Sequence, residues 1–418
     1  MTRSVSDQEV QAGRVLDALG ITAQQFLDFE HDIGREAVST VDQIEPILVR
    51  PSRVRWPLTF LWRMNLDTFN QNLRTALDAL GVGYCYMIKR KGRIVHIGSS
   101  GWAQLPDDPT DGDGQVAWGL HIPMNVASVS KFVTAIATVR LLRGAGIPLK
   151  TPVAGFLPQY WVQGGGIGAI TFHDLLRHEA GLGGTISGTG TGNFAEARSE
   201  ISKGSTGTGT YNYKNVNFAT LRVLFATLTG ALSPPSAVPS FLASLGISDD
   251  VFWDVVSASA YRNWVNDYVF APASIAPRDF QAEENAAKAY ATPPAAPGSR
   301  IEDGAGGSGP SGWHMGIGAL VRLLDNFRTG AMMARWRAQR LLTNMYGLDQ
   351  PLTTRAGQVY YKGGRKLNGA QGMDSAIYLM PGQVDFAVFV NSWDGTPAGH
   401  LGTIPSLIQN SIESVFSI

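Results

Sequence analysis

The sequence predicts an α+β fold: one antiparallel sheet flanked by helices, built from both ends of the chain, with a mainly helical, loop-rich lobe inserted between them. Three observations predict it. A hairpin pattern stands at residues 84–97, strand-like runs return at 358–391, and the residues between 151 and 300 are helical or glycine-rich. The expected divisions are a helical N-terminal extension at 1–65, an α/β sandwich domain formed by 66–150 together with 301–418, and the inserted lobe at 151–300.

Taken in order, residues 10–19 and 26–33 carry helical patterns, and a basic, aromatic stretch follows at 53–63. Residues 67–80 form an amphipathic helix closed by Gly81 and Gly83. The hairpin then turns through Lys91 and Gly92. An aspartate-rich loop, 107–113, lacks the spacing to a closing glutamate that a calcium loop needs, and is expected to be solvated. An apolar helix follows from 128, with Val129, Phe132, Val133, Ile136 and Val139 at helical spacing and Gly144 and Gly146 beyond its end. Residues 170–182 read as a short helix running into glycine. The stretch 183–210 is rich in Gly, Thr and Ser without the Lys-Ser/Thr of a phosphate loop, and a second apolar helix occupies 219–228. Near the C-terminus a helix at 317–327, a hairpin turning at Pro381-Gly382 and a helix at 404–416 complete the pattern.

Composition narrows the function classes. Lys plus Arg and Asp plus Glu number 34 each, which argues against a nucleic-acid or membrane-surface partner held by bulk charge. The single cysteine, Cys85, excludes an internal disulfide and fits a reducing compartment. The first ten residues lack the apolar segment of a secretion signal, and no apolar run reaches the roughly 20 residues of a membrane helix, so the expected setting is cytoplasmic.

The residues with most chemical content are Ser128 and Lys131, neighbours one helical turn apart. A serine becomes a nucleophile when a base takes its proton, and a lysine can be that base when desolvation or a nearby cation keeps it neutral. A helix N-terminus also offers N–H groups to a developing oxyanion. The spacing has a second reading, a helix cap beside a snorkelling lysine. Other schemes are weaker: no Gly-x-Ser-x-Gly elbow is present, His173 and His178 have no metal-ligand spacing, and Cys85 lies mid-strand among apolar residues.

Three blocks decide between the two readings. Ala127-Ser128-Val129-Ser130-Lys131, then residues 149–158, then 170–182 ending in His178-Glu179-Ala180-Gly181-Leu182, together resemble the serine β-lactamase-like hydrolases, the family of class C β-lactamases, DD-peptidases and related esterases. The resemblance runs from about residue 67 to the C-terminus and implies a β-lactamase/transpeptidase-like fold. It implies that Ser128 is the nucleophile and Lys131 its general-base partner. The family's Tyr-x-Asn falls on Tyr213-Lys214-Asn215: Tyr213 would exchange protons with Ser128 and the leaving group, its pKa lowered by two nearby cations, and Asn215 would orient Lys131 or the substrate. The family's Lys/His-x-Gly falls on Lys362 and Gly364, where glycine lets substrate approach the strand; an ungapped count points instead to Lys366, and the second oxyanion-hole N–H stays unassigned. Trp313, Tyr360 and Tyr361 are either walls of an acyl pocket or core.

The implied activity is that of a serine hydrolase, an esterase or amidase, cleaving a small ester, amide or peptide through an acyl-serine intermediate. No metal or organic cofactor is required. A DD-peptidase or β-lactamase, and a ligand-binding homologue without turnover, are the alternatives.

Overall fold

The computed structural model describes residues 62–108, 115–184 and 186–414. The helical patterns expected at 10–19 and 26–33, and most of the 53–63 stretch, lie outside them. The last residues assigned to a helical extension are instead a strand, β1 (Trp62–Met64), paired antiparallel with Ile412–Ser414. The C-terminal helix is correspondingly shorter than expected: α9 (Ile404–Asn410) ends where Ser411 turns the chain into that strand. Beta-branched Ile412 opens the pairing, and the backbone N–H of Asn65 donates to Ser411 O at 2.8 Å.

Two compact units divide the chain: a sheet unit within 62–132, 270–302 and 311–414, and a helical unit within 133–269 and 303–310. These limits differ from the expected boundaries at 150 and 300. One limit falls inside helix α2 (Ser130–Gly144), where Phe132 packs edge-on against Phe327 of the sheet unit while Thr134 donates to Gly309 O of the helical unit. The other assigns 270–302 to the sheet unit, because Tyr290 pairs with Gly372 and, in parallel, with Ser392.

In the sheet unit, β2 (Tyr84–Arg90) and β3 (Arg93–Ser100) come from one end of the sequence. Strands β4 (Leu352–Thr354), β5 (Gly357–Asn368), β6 (Gln371–Met380) and β7 (Val384–Val390) come from the other. The hydrogen-bonded order is β4-β5-β6-β7-β2-β3, antiparallel throughout. Lys91 and Gly92 both take positive φ, 51° and 79°, the geometry of the two-residue hairpin turn that matches strand twist. On one face, Phe69, Leu73 and Leu77 of α1 (Leu66–Asp78) and Ile404 and Ile408 of α9 bury Tyr86, Tyr378 and Phe386. Helix α7 (Ile317–Thr329) packs against β7 and β2 on the opposite face.

The helical unit is organised around α5 (Val216–Leu228), buried from Val216 to Ala226. Against it pack α3 (Phe172–Leu176), α4 (Phe194–Lys203) and α6 (Asp249–Val265). A capping box fixes the start of α3: Thr171 N–H donates to Asp174 at 2.9 Å and Asp174 N–H returns a bond to Thr171 Oγ1. Arg222, wholly buried in α5, meets the Asp254 carboxylate at 2.6 Å and donates to Asp254 O and Ser257 Oγ.

Candidate active site

The chain enters the Ser128 region from a short strand, Met124–Asn125, and makes a single turn of 3-10 helix, Ala127–Val129, before α2 begins. Ala127 takes φ of 45°, a left-handed conformation that costs a side-chain-bearing residue on the order of 1 kcal/mol or more. It is held there by its own N–H, which donates to Asn125 Oδ1 at 2.8 Å, and by Val126 N–H, which donates to Trp313 O at 2.9 Å. The consequence is a half-buried Ser128 set at the head of a buried helix.

Lys131 is fully buried, and its Nζ lies 3.0 Å from Ser128 Oγ. A lysine on this apolar helix has nowhere to snorkel, since Ser130 to Thr138 are all buried. Its amine is aimed at the hydroxyl instead. Ser128 lies within the 3-10 turn that leads directly into the helix, and its hydroxyl meets the lysine side chain.

Strand β5 runs against the same turn. A Cβ added to Gly364 would stand 3.0 Å from Ser128 N and 2.6 Å from both Val126 O and Ser375 Oγ, so only glycine permits the approach. Ser375, opposite Gly364 on β6, donates to Val126 O at 2.8 Å and ties the sheet to the turn. Side chains alternate along a strand, so Lys362 projects to the same face as the missing Cβ of Gly364. Counting from Lys366 would put Asn368 at the glycine position, but it is Gly364 that lies against Ser128.

Lys362 is not an unpaired cation. Its Nζ meets Asp349 Oδ1 at 2.5 Å, while Gly363 N–H donates to Asp349 Oδ2 at 2.9 Å and Asp349 N–H donates to Tyr361 O at 3.0 Å. Asp349 has no sequence signal, being a lone acid in a turn after α8 (Arg335–Thr343). Arg365 is likewise committed, paired with Asp374 through Nε and Nη2 at 2.6 and 3.2 Å.

Tyr213 and Asn215 belong to the helical unit. Tyr213 precedes α5, and the ring of His178 lies 4.4 Å from its ring, tilted by 38°. His178 is buried with φ of 59°, its Nδ1 3.1 Å from Lys214 O, and its carbonyl accepts from Asn212 N–H at 2.8 Å. One histidine therefore fixes the backbone on both sides of Tyr213. The Gly/Thr-rich stretch is pinned by the next two residues: Lys214 Nζ donates to Ile186 O and Gly188 O, each at 2.6 Å, and Asn215 Nδ2 donates to Gly190 O at 2.7 Å. Asn215 Oδ1 is buried without a partner among the described residues, an acceptor able to receive an N–H or an ammonium.

Several other residues are accounted for structurally. Burial pushes the Cys85 thiol up to about 12, so it is no nucleophile near neutrality. Burial also lowers His173. Asp108 departs from the solvated loop expected of 107–113: it is buried, 3.1 Å from Lys288 Nζ, and accepts from Tyr290 Oη and Gly298 N–H. Of the three aromatics considered as pocket walls, Tyr361 stacks on Tyr378 on the α1 face of the sheet, away from Ser128, and Trp313 is wholly buried against Phe270 and Phe280. No helix among the described residues is long and apolar enough to cross a membrane.

The family model described as Beta-lactamase matches residues 69–403, most of the chain. The chain belongs to the beta-lactamase family. Membership covers the turn with Ser128, strand β5 and the Tyr213 segment alike, and it makes the fold β-lactamase/transpeptidase-like and the general type of the protein a hydrolase. Solved structures of the same fold include FmtA from Staphylococcus aureus, with TM-score 0.59 and 14% identity over 92% of this chain and 98% of that one. The D-amino acid amidase from Ochrobactrum anthropi gives TM-score 0.58 and 14% identity, over 82% and 97% of the two chains. The class C beta lactamase from Rhodobacter sphaeroides gives 0.54 and 14%, also over 82% and 97%. A search of curated proteins finds no match.

Proposed function

We propose that the chain is a serine hydrolase, an esterase or amidase, that cleaves a small ester, amide or peptide through an acyl-enzyme on Ser128. The observation that carries the reading is the wholly buried Lys131 with its amine 3.0 Å from Ser128 Oγ, next to a strand that only Gly364 allows so close. Ser128 Oγ attacks the carbonyl carbon as its proton passes to Lys131, giving a tetrahedral intermediate. Tyr213 gives its proton to the leaving group as the C–O or C–N bond breaks and takes back the proton held by Lys131; water then attacks the acyl-serine, its proton passing through Lys131 to Ser128 Oγ as the acid is released. Asn215, whose Oδ1 has no partner among the described residues, is the residue this reading gives to orienting the substrate.

The oxyanion is assigned to Ser128 N–H and Arg365 N–H. Tyr361 O and Gly363 N–H both turn toward Asp349 at the open edge of β5, and antiparallel alternation turns Arg365 N–H to the same edge. Lys362 and Gly364 bind substrate along that strand.

Turnover of p-nitrophenyl butyrate, a p-nitroanilide of alanine and benzylpenicillin tests the reading. Hydrolysis of the ester or anilide that is lost in Ser128→Ala and in Tyr213→Phe, both folded, supports it. Equal turnover by wild type and Ser128→Ala rejects it.

A further inference from the structure

We propose that the Lys362–Asp349 ion pair renders the strand beside the nucleophile electrically neutral and selects substrates that are uncharged around the scissile carbonyl, against those bearing a carboxylate there. The inference rests on the serine hydrolase reading of the same site and adds the charge class of its substrate.

Lys362 stands one strand repeat, about 7 Å, from the point where Gly364 lies against Ser128 N, and on the same face. An unpaired ammonium in that position would attract an anionic group near the scissile bond. Instead Asp349 occupies it, and Asp349 is fixed by three bonds rather than one. Its carboxylate takes Lys362 Nζ at 2.5 Å and Gly363 N–H at 2.9 Å, and its own N–H holds Tyr361 O at 3.0 Å. Lys362 has a side-chain exposure of only 3%, so solvent ions do not compete for it. An incoming carboxylate would have to displace a preorganised internal one.

The neighbouring cations offer no substitute. Arg365 is held by Asp374 and by the carbonyls of Thr396 and Pro397. Lys366 is not free either, and Lys131 is directed at Ser128. The charges of Lys362 and Arg365, on either side of Gly364, are thus each met by an internal carboxylate.

The test compares two length-matched esters, p-nitrophenyl pentanoate and mono-p-nitrophenyl glutarate, which differ by a terminal methyl against a carboxylate. Wild type is expected to favour the pentanoate at least about tenfold in kcat/KM. Asp349→Asn, shown folded by circular dichroism, removes the internal anion and shifts the ratio toward glutarate by about tenfold, the size of one charge-assisted hydrogen bond. Lys362→Met leaves the anion without its cation and shifts the ratio the opposite way, which keeps the test decisive if Asp349→Asn does not fold. Wild type that hydrolyses glutarate as well as pentanoate overturns the proposal, as do folded variants that leave the ratio unmoved. Absence of any Ser128-dependent pentanoate turnover is a different failure, that of the hydrolase reading, and the charge proposal falls with it.

Discussion

Replacing Gly364 with alanine introduces one methyl group at the closest approach between sheet and nucleophile. Its Cβ would stand 2.6 Å from Val126 O, 2.6 Å from Ser375 Oγ and 3.0 Å from Ser128 N. Ordinary contact needs about 3.5 Å, so roughly 0.5–1 Å must be found. Ser375 Oγ can rotate only by giving up its bond to Val126 O, and the other two atoms are backbone. The strand or the turn therefore moves. Overpacking of this kind costs about 1–3 kcal/mol. A displacement near 1 Å between nucleophile and substrate-binding strand costs on the order of 100-fold in kcat/KM.

Gly363 is the built-in control. Its added Cβ meets nothing closer than Asp349 Oδ2 at 3.7 Å, so Gly363→Ala should stay within about 0.5 kcal/mol of wild type. Urea unfolding and kcat/KM on p-nitrophenyl butyrate measure both variants. Gly364→Ala that keeps wild-type activity and stability, or Gly363→Ala that is equally damaged, refutes the geometric argument.

Two further predictions concern the scaffold. Asp254→Ala strands the fully buried Arg222 without its carboxylate and should destabilise the protein by about 3–5 kcal/mol in urea unfolding; a loss under about 1 kcal/mol would mean the pair carries little of that unit's stability. Cys85, its thiol raised to about 12 by burial, should not react with a disulfide reagent at pH 8 in folded protein and should react fully in urea. Rapid stoichiometric reaction of the native thiol would contradict its burial.

Local rules made much of the sheet unit legible. Ser128 and Lys131 meet as helical spacing requires, and positive-φ turns close the two hairpins at Lys91-Gly92 and around Gly382. Contacts between residues distant in sequence were not legible. Nothing marks Asp108, rather than another aspartate of its loop, as the partner of Lys288, because that choice is made by the packing of a segment 180 residues later. Asp349 was silent for the same reason. Tyr361 shows how one residue of register decides a role: its parity sends it to the α1 face, while its neighbour Lys362 lies on the face where Gly364 meets the Ser128 turn. The C-terminal helix read as longer than it is because an apolar pattern does not reveal that Ile412 pairs with β1.

The central claim is that Ser128 is a nucleophile activated by a buried amine. Intact-mass analysis after treatment with a fluorophosphonate tests it most directly. Folded wild type should gain one adduct, located on Ser128 by peptide mapping, and Ser128→Ala, with a similar thermal midpoint, should gain none. Folded wild type that remains unlabelled, or Ser128→Ala labelled to the same extent, would contradict the account.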